Sequence, residues 1–322
     1  MRTTTSASDR DQKIDTLHVI VGPTGTGKSA LSLDLAERIH ATGRAAEIIN
    51  ADAMQLYRGM DIGTAKLTSA ERRGITHHQM DTLGVTEEST VAAYQESTRK
   101  ILSNLVQREI VPILVGGSGL YVSSVIFNFD FPARDQAVRA RLERECEKQG
   151  PEELFRRLAD RDPVAAANIG SQNIRRVIRA LEVIEITGAP FSAALPQEPV
   201  PWMPLNIVGL HEDRAVLTSR LDKRVLDMWD QGLLEEVEGL IPEGIEHGIT
   251  ASRAIGYAQA LAQLRGDATR DEAIALTQSL TRRYSRRQVS WFKRYQDLNW
   301  IHASDPQRLE RVLAHPPDRL KR

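Results

Sequence analysis

The sequence predicts an α/β protein: a P-loop (phosphate-binding loop) parallel-sheet core with an all-helical insertion domain and C-terminal helices. Three observations carry that expectation. Gly22-Pro23-Thr24-Gly25-Thr26-Gly27-Lys28-Ser29 matches G-x-x-x-x-G-K-S/T directly after the apolar run Thr16–Val21. Strand-like apolar runs alternate with helical periodicity through residue 134. From Asp135 to Thr187 the strand signals vanish, leaving charged helical segments.

The elements follow in order. Thr16–Val21 reads as a strand and Lys28–Thr42 as a helix, with Leu31, Leu35, Ala36 and Ile39 on its apolar face. Ala45–Asn50 is a second strand ending at Ala51-Asp52. Val91–Arg108 is a helix, and Val111–Val115 is a buried strand running into the turn Gly116-Gly117-Ser118-Gly119, with a helix from Leu120. This alternation gives a parallel sheet that binds ligands at the C-terminal ends of its strands.

The insertion reads as helices over Asp135–Gln149, Pro151–Asp160, Pro163–Asn168 and Ser171–Thr187, then a proline-rich stretch from Pro190 to Pro204. Such a block in a phosphate-binding fold is often a mobile lid. Leu205–Leu210 returns as a strand. Helices resume at Asp213–Gln231, Leu233–Leu240, Ser252–Gln263 and Arg270–Gln296. The expected organisation is therefore a loose tail over 1–15, a core of 16–134 plus 205–302, an insertion over 135–204 and a weakly ordered tail over 303–322.

In the P-loop, glycines let successive N–H groups turn toward a phosphate, and the helix N-terminus adds its positive end. Lys28 would neutralise phosphate charge, and Ser29 would offer a hydroxyl to Mg²⁺. A diphosphate or triphosphate is the expected ligand. Charge is balanced, 42 Lys plus Arg against 43 Asp plus Glu, so any case for nucleic acid must be local. The single cysteine, Cys146, excludes an internal disulfide and cysteine metal clusters. No apolar run approaches the ~20 residues needed to span a bilayer. Residues 1–15 lack the apolar core of a secretory signal, and Asp9, Asp11 and Asp15 disfavour a transit peptide. A cytoplasmic protein is expected.

Asp52, at the end of the second strand, would open toward the P-loop. There it could accept a proton, hold a substrate hydroxyl, or merely cap the next turn. The segment Asp52–Lys66 is long and irregular, as functional loops are. A usual NTPase would end an apolar strand in a Walker B Asp, but Val111–Val115 ends in glycines. The phosphates thus read as a leaving group or handle rather than a hydrolysed fuel. Arg175, Arg176 and Arg179 lie at helical spacing. From Arg282 to Arg294 six residues are basic and none acidic, with Tyr284, Trp291, Phe292 and Tyr295 interleaved. A solvated face would explain such a run, but without acidic partners a phosphate backbone explains it better. His77 and His78 would point to opposite faces of a strand, which disfavours a shared metal ion.

Taken together, these segments resemble the tRNA dimethylallyltransferase (isopentenyl-diphosphate:tRNA transferase) family from about Leu17 to Ile301. The resemblance runs through Gly22–Ser29, Asn50–Lys66, His77-His78, Gly116–Tyr121, Arg179–Val183, Gly232-Leu233, Ala254–Tyr257 and Thr281–Gln288. The Asp-x-x-Gln-x-Tyr-Arg-Gly-Met-Asp-Ile-Gly-Thr-Ala-Lys run is highly specific; the P-loop alone is not.

The resemblance implies transfer of a dimethylallyl group from dimethylallyl diphosphate to N6 of the adenine at position 37, beside the anticodon, in tRNAs reading codons that start with U. It implies that Gly22, Pro23, Thr24, Gly25, Thr26, Gly27, Lys28 and Ser29 grip the diphosphate with Mg²⁺. Asp52 would be the base, and Lys28 and Arg224 would stabilise the leaving group. The tRNA-contacting positions it implies are Asp52, Ala53, Met54, Gln55, Ser118, Arg139, Arg175, Arg176, Arg179, Arg253, Gly256, Arg286, Arg287, Gln288 and Lys293. Ser118 and Ser29 stand where the family often has Thr, and both keep the hydroxyl. The partners implied are the tRNA anticodon stem-loop and dimethylallyl diphosphate, with no membrane, and the chain is expected to be a monomer. The rival readings are a small-molecule kinase, a prenyltransferase of free adenine nucleotides, and a non-catalytic nucleotide switch that binds RNA.

Overall fold

A computed structural model describes residues 16–129, 131, 134–194, 200–295 and 298–314. The expected tail over 1–15 lies outside them. The chain divides into two compact units, one formed by the residues before Phe127 and after Val200, the other by Phe127–Val200.

The first unit is built on a six-stranded sheet. Its strands are β1 (Leu17–Val21), β2 (Ala46–Asn50), β3 (His77–His78), β4 (Val111–Gly116), β5 (Leu205–His211) and β6 (Asn299–His302). They run in the order β3-β2-β4-β1-β5-β6, and every pairing is parallel. Central strands of such a sheet are covered on both faces, which is why β1, β2, β4 and β5 read as continuous apolar runs. Helix α1 (Lys28–His40) lays Leu31, Leu35 and Ile39 on Ile48, Ile113 and Val208. Helix α2 (Val91–Gln107), capped by the Thr90 side chain, and α3 (Gly119–Ile126) flank β4.

Four further helices of this unit, α8 (Arg214–Asp230), α9 (Leu233–Leu240), α10 (Tyr257–Leu264) and α11 (Arg270–Phe292), enclose a second core. That core gathers Tyr57, Val225, Trp229, Leu233, Tyr257 and Ile274. Helix α11 opens with a capping box, in which the Thr269 side chain accepts from the Glu272 N–H and Glu272 reaches back.

The second unit holds α4 (Gln136–Gln149), α5 (Pro151–Arg161), α6 (Pro163–Ile169) and α7 (Ile174–Thr187) around Leu142, Leu154, Leu158, Val177 and Leu181. Asp135 and Asp162 cap α4 and α6, and Pro151 opens α5 where its missing N–H is harmless.

Three features depart from the sequence expectation. The edge strands β3 and β6 are too short and polar to carry a periodic signal. The C-terminal segment is not weakly ordered throughout: α12 (Arg308–Ala314) forms, buries Val312 and accepts a 2.9 Å bond from Asn206 Nδ2 at the Val312 carbonyl. The helix expected from Ser252 starts instead at Tyr257, after a short 3-10 turn at Ala251–Arg253. No described helix is long and apolar enough to cross a membrane.

Candidate active site

Because the sheet is parallel, β1, β2, β4 and β5 deliver their C-terminal ends to one edge, and the candidate site is assembled there. After β1, Gly25 and Gly27 adopt φ of +84° and +80°, a conformation that side chains resist and that turns backbone N–H groups inward. Gly27 is the N-cap of α1 and supplies no side-chain cap. The first N–H groups of the helix are therefore left to a ligand. The Pro23 carbonyl accepts from Thr26 Oγ1 at 2.8 Å and from Lys28 Nζ at 2.7 Å. Burial pushes Lys28 down to about 8; the Asp52 carboxylate opposes that shift and Arg224 adds to it.

Helix α8 reaches the loop with two arginines. Arg224 donates to Thr24 Oγ1 at 3.2 Å, and its pKa is lowered by burial against the pull of Asp52. Arg220, which sequence reasoning missed, donates to the Gly25 carbonyl at 2.8 Å and is ion-paired with Glu212 at 3.1 Å.

After β2, Asn50 shapes the chain: its Oδ1 accepts the Asp52 N–H at 3.0 Å, and its Nδ2 donates to the Gln79 carbonyl at 2.8 Å. Asp52 itself does two things. Its Oδ1 accepts the Met54 N–H at 2.9 Å, so it does cap the following turn. Its other oxygen accepts no hydrogen bond from a described residue and is available to a ligand.

Two cavities meet at this carboxylate. One, of about 290 Å³, is lined by the P-loop, Gln55, His77, Met80, Arg220 and Arg224. The other, of about 370 Å³, has an apolar wall of Leu221, Val225, Met228, Ala254 and Ile255, with Ser118, Arg253, Thr277, Thr281, Tyr284 and Arg287 as its polar groups. Both are lined by Thr24, Asp52, Thr64 and Arg224. An anionic ligand and an apolar or aromatic one can thus meet beside a single carboxylate.

The segment from Asp52 to Lys66 is fixed from outside. Glu236 of α9 accepts the N–H groups of Asp61, Ile62 and Gly63 at 3.1, 2.7 and 3.4 Å, and the Tyr257 hydroxyl donates to it at 2.5 Å. Lys66 is buried between Asp61 at 2.5 Å and Asp81 at 2.6 Å, and it also donates to the Tyr57 carbonyl at 2.8 Å. These contacts hold Gly63 and Thr64 in the cavity wall.

The profile of the IPP transferase family matches residues 55–295. The tRNA dimethylallyltransferase of Clavibacter sepedonicus is 59% identical over 301 residues, 94% of this chain and 96% of that protein. The chain belongs to the IPP transferase family. The tRNA dimethylallyltransferase of Thermobifida fusca is 50% identical over 94% of each chain. Among solved structures, the tRNA isopentenylpyrophosphate transferase of Bacillus halodurans superposes with a TM-score of 0.66 at 37% identity, covering 93% of both chains. A eukaryotic dimethylallyltransferase acting on tRNA gives 0.77 at 26% identity, covering 92% of this chain and 76% of that one.

The positions that the family resemblance assigned to tRNA fall into three groups. Ala53, Met54, Ser118, Arg253 and Arg287 line the larger cavity. Ser118 Oγ also accepts the Ala53 N–H at 3.2 Å and lies 3.3 Å from the Tyr284 hydroxyl. Arg286 and Lys293 are exposed on and just beyond α11. In the helical unit, Arg175 and Arg176 are exposed, Arg139 is paired with Glu143 at 3.0 Å, and Arg179 with the buried Glu182 at 2.9 Å.

Three expected contacts are placed differently. Gln288 is buried against the P-loop, with its Oε1 accepting the Thr24 N–H at 2.9 Å. Gly256 is buried and donates its N–H to Gln259 Oε1 at 2.8 Å. Gln55 lines the P-loop cavity and donates to the Thr64 carbonyl at 3.1 Å. The basic run also has an acidic partner after all: Arg282 pairs with Asp222 of α8 at 2.5 Å, a partner 60 residues away in sequence. His77 and His78, which form β3, bind the Ile75 carbonyl at 2.8 Å and Glu47 at 2.6 Å. Tyr284, noted in the sequence only among the aromatics of the basic run, lines the larger cavity, and its hydroxyl is pushed up to about 12 by burial and by the Asp52 charge. It also stands within the family segment Thr281–Gln288.

Proposed function

We propose that this protein transfers a dimethylallyl group from dimethylallyl diphosphate to N6 of the adenine at position 37, beside the anticodon, in tRNAs that read codons starting with U. The observation that carries the reading is the free oxygen of Asp52 where the two cavities meet, with Lys28 and Arg224 on the P-loop side. An exocyclic aromatic amine is a weak nucleophile, so the reaction needs a positioned base and a stabilised leaving group. The adenine would leave the anticodon stack to enter the larger cavity, as bases do in other base-modifying enzymes. N6 attacks C1 of the allyl group. The C1–O bond breaks, its electron pair leaves with diphosphate, and the N6 proton passes to Asp52.

Lys28, Arg224 and the loop N–H groups would take up the charge that builds on the diphosphate. The apolar wall of Leu221, Val225 and Met228 would keep water from the allylic cation-like centre. Mg²⁺ fits the loop through Ser29, exposed at the start of α1 and with a hydroxyl free of described partners. Bound there, it would add positive charge beside the diphosphate. All of these groups belong to one chain, so a monomer suffices, and the tRNA substrate implies a cytoplasmic enzyme.

Incubation with unmodified tRNA, Mg²⁺ and labelled dimethylallyl diphosphate tests this reading. Label appearing on N6 of adenine 37, and lost in Asp52→Ala, supports it. Phosphate transfer from ATP without prenylation would point instead to a kinase in which Asp52 holds the acceptor hydroxyl. Label transfer to free adenine nucleotides but not to tRNA would replace the macromolecular substrate with a small one.

A further inference from the structure

We propose that Gln288 is a positioning residue for the diphosphate site, acting on Lys28 through the Pro23–Thr24 peptide. The proposal rests on reading the P-loop as the diphosphate site. Gln288 is 4% exposed and reaches the loop from α11, where its Oε1 accepts the Thr24 N–H at 2.9 Å. The peptide is trans, so its carbonyl points away from its N–H. Pinning the Thr24 N–H toward α11 therefore aims the Pro23 carbonyl into the loop. There it accepts from Lys28 Nζ at 2.7 Å and from Thr26 Oγ1 at 2.8 Å. Without the glutamine acceptor the peptide loses its only anchor on the N–H side among the described residues, and the carbonyl that stations the lysine ammonium beside the diphosphate site is held less firmly.

The end of β4 is shaped to admit that side chain. A Cβ on Gly117 would stand 2.1 Å from Gln288 Nε2 and 3.0 Å from both its Cδ and the Gly22 carbonyl oxygen. Gly117 is not in the left-handed region, so the space, rather than backbone freedom, requires glycine. This gives the missing Walker B carboxylate a physical reason: the strand ends in glycines where the glutamine amide is lodged. Tyr284, one turn earlier on α11, places its hydroxyl in contact with Gln288 and Ser118. Ser118 in turn holds the Ala53 N–H beside Asp52. The side chains of α11 thus tie the two halves of the site into one register.

The test compares wild type, Gln288→Met and Gly117→Ala by calorimetric titration with dimethylallyl diphosphate and, separately, with an anticodon stem-loop. Losing one buried hydrogen bond to the loop should weaken diphosphate binding about tenfold in Gln288→Met. Stem-loop binding should change less than about twofold, because a buried side chain offers the RNA nothing. Gly117→Ala, which leaves the glutamine intact but evicts it, should show the same split. In folded wild type the Thr24 amide should exchange slowly with solvent.

Wild-type diphosphate affinity in Gln288→Met, selective loss of stem-loop binding, or rapid exchange of the Thr24 amide would each overturn the proposal. Wild-type protein that binds no diphosphate would overturn the reading of the P-loop, and this proposal with it. Wild-type binding that the variants leave untouched would overturn this proposal alone.

Discussion

The P-loop and the Asp52–Lys66 loop both leave the same edge of the sheet, yet their backbones are shaped differently. In Gly22–Ser29 the turn itself is set by local contacts, onto which the distant Arg220, Arg224 and Gln288 bind. Thr26 and Lys28 turn back on the Pro23 carbonyl three and five residues away, and the helix that follows supplies the free N–H groups. In Asp52–Lys66 the fixing groups come from far away. Glu236 binds Asp61 across 175 residues, and Asp81 and Tyr257 complete the anchor. Ala65, Gln79 and Asp81 are held at positive φ in that neighbourhood, a conformation that persists where surrounding contacts over-determine it. A sequence motif can therefore encode only one half of such a site. Backbone geometry encodes an anion cradle locally; a carboxylate facing two ligands needs the rest of the fold.

Substitutions separate the roles of the two loops. Asp52→Asn should slow transfer by about 10²–10⁴ while leaving the fold intact, because an amide oxygen can still accept the Met54 N–H. Single-turnover rates read this directly, and an unimpaired variant would remove Asp52 from the chemistry. Lys28→Met should lower the transfer rate by about 10² through lost stabilisation of the leaving diphosphate.

The same lysine makes a pH prediction. Its folded pKa of about 8 lies below the ordinary lysine value, so the free site holds a charged ammonium at pH 7 and loses it as pH rises through 8. Affinity for dimethylallyl diphosphate should fall above pH 8, with proton uptake on binding there. Lys28→Met should flatten that limb, and an unchanged profile would show that another group titrates.

Smaller effects sharpen the contrast. Arg286→Glu together with Arg287→Glu should weaken stem-loop binding about tenfold and reduce its salt dependence, leaving diphosphate binding alone. Equal RNA affinity in moderate salt would make α11's outer face merely solvated. Glu236→Ala should destabilise the protein by about 1–3 kcal/mol, since three N–H groups lose their acceptor, and should raise KM for tRNA more than for the diphosphate. Urea titration and steady-state kinetics measure the two parts. Equal losses for both substrates would mean that the two loops are not separately anchored.

Much of this was legible in the sequence. Four of the six strands, the P-loop, the terminal position of Asp52 and the helical character of the insertion follow from apolar runs, glycine placement and periodicity. The strands His77–His78 and Asn299–His302 were not, because two to four residues of mixed polarity carry no period. The cluster of basic residues on α11 was legible, but its burial pattern was not. Gln288 turns inward, and Arg282 finds Asp222, through packing of α11 on α8 that no local pattern specifies. The lining of the larger cavity likewise draws on α8, α11 and the Arg253–Tyr257 segment, separated in sequence and united only by the fold.

The most direct measurement is a single-turnover experiment with labelled dimethylallyl diphosphate and an anticodon stem-loop, following label on N6 for wild type and Asp52→Asn. The proposed chemistry predicts one diphosphate released per prenyl group transferred by wild type. It predicts near-normal binding of both substrates but transfer slowed by about 10²–10⁴ in the variant. Transfer at the wild-type rate in Asp52→Asn, or release of diphosphate without label on the base, would contradict it.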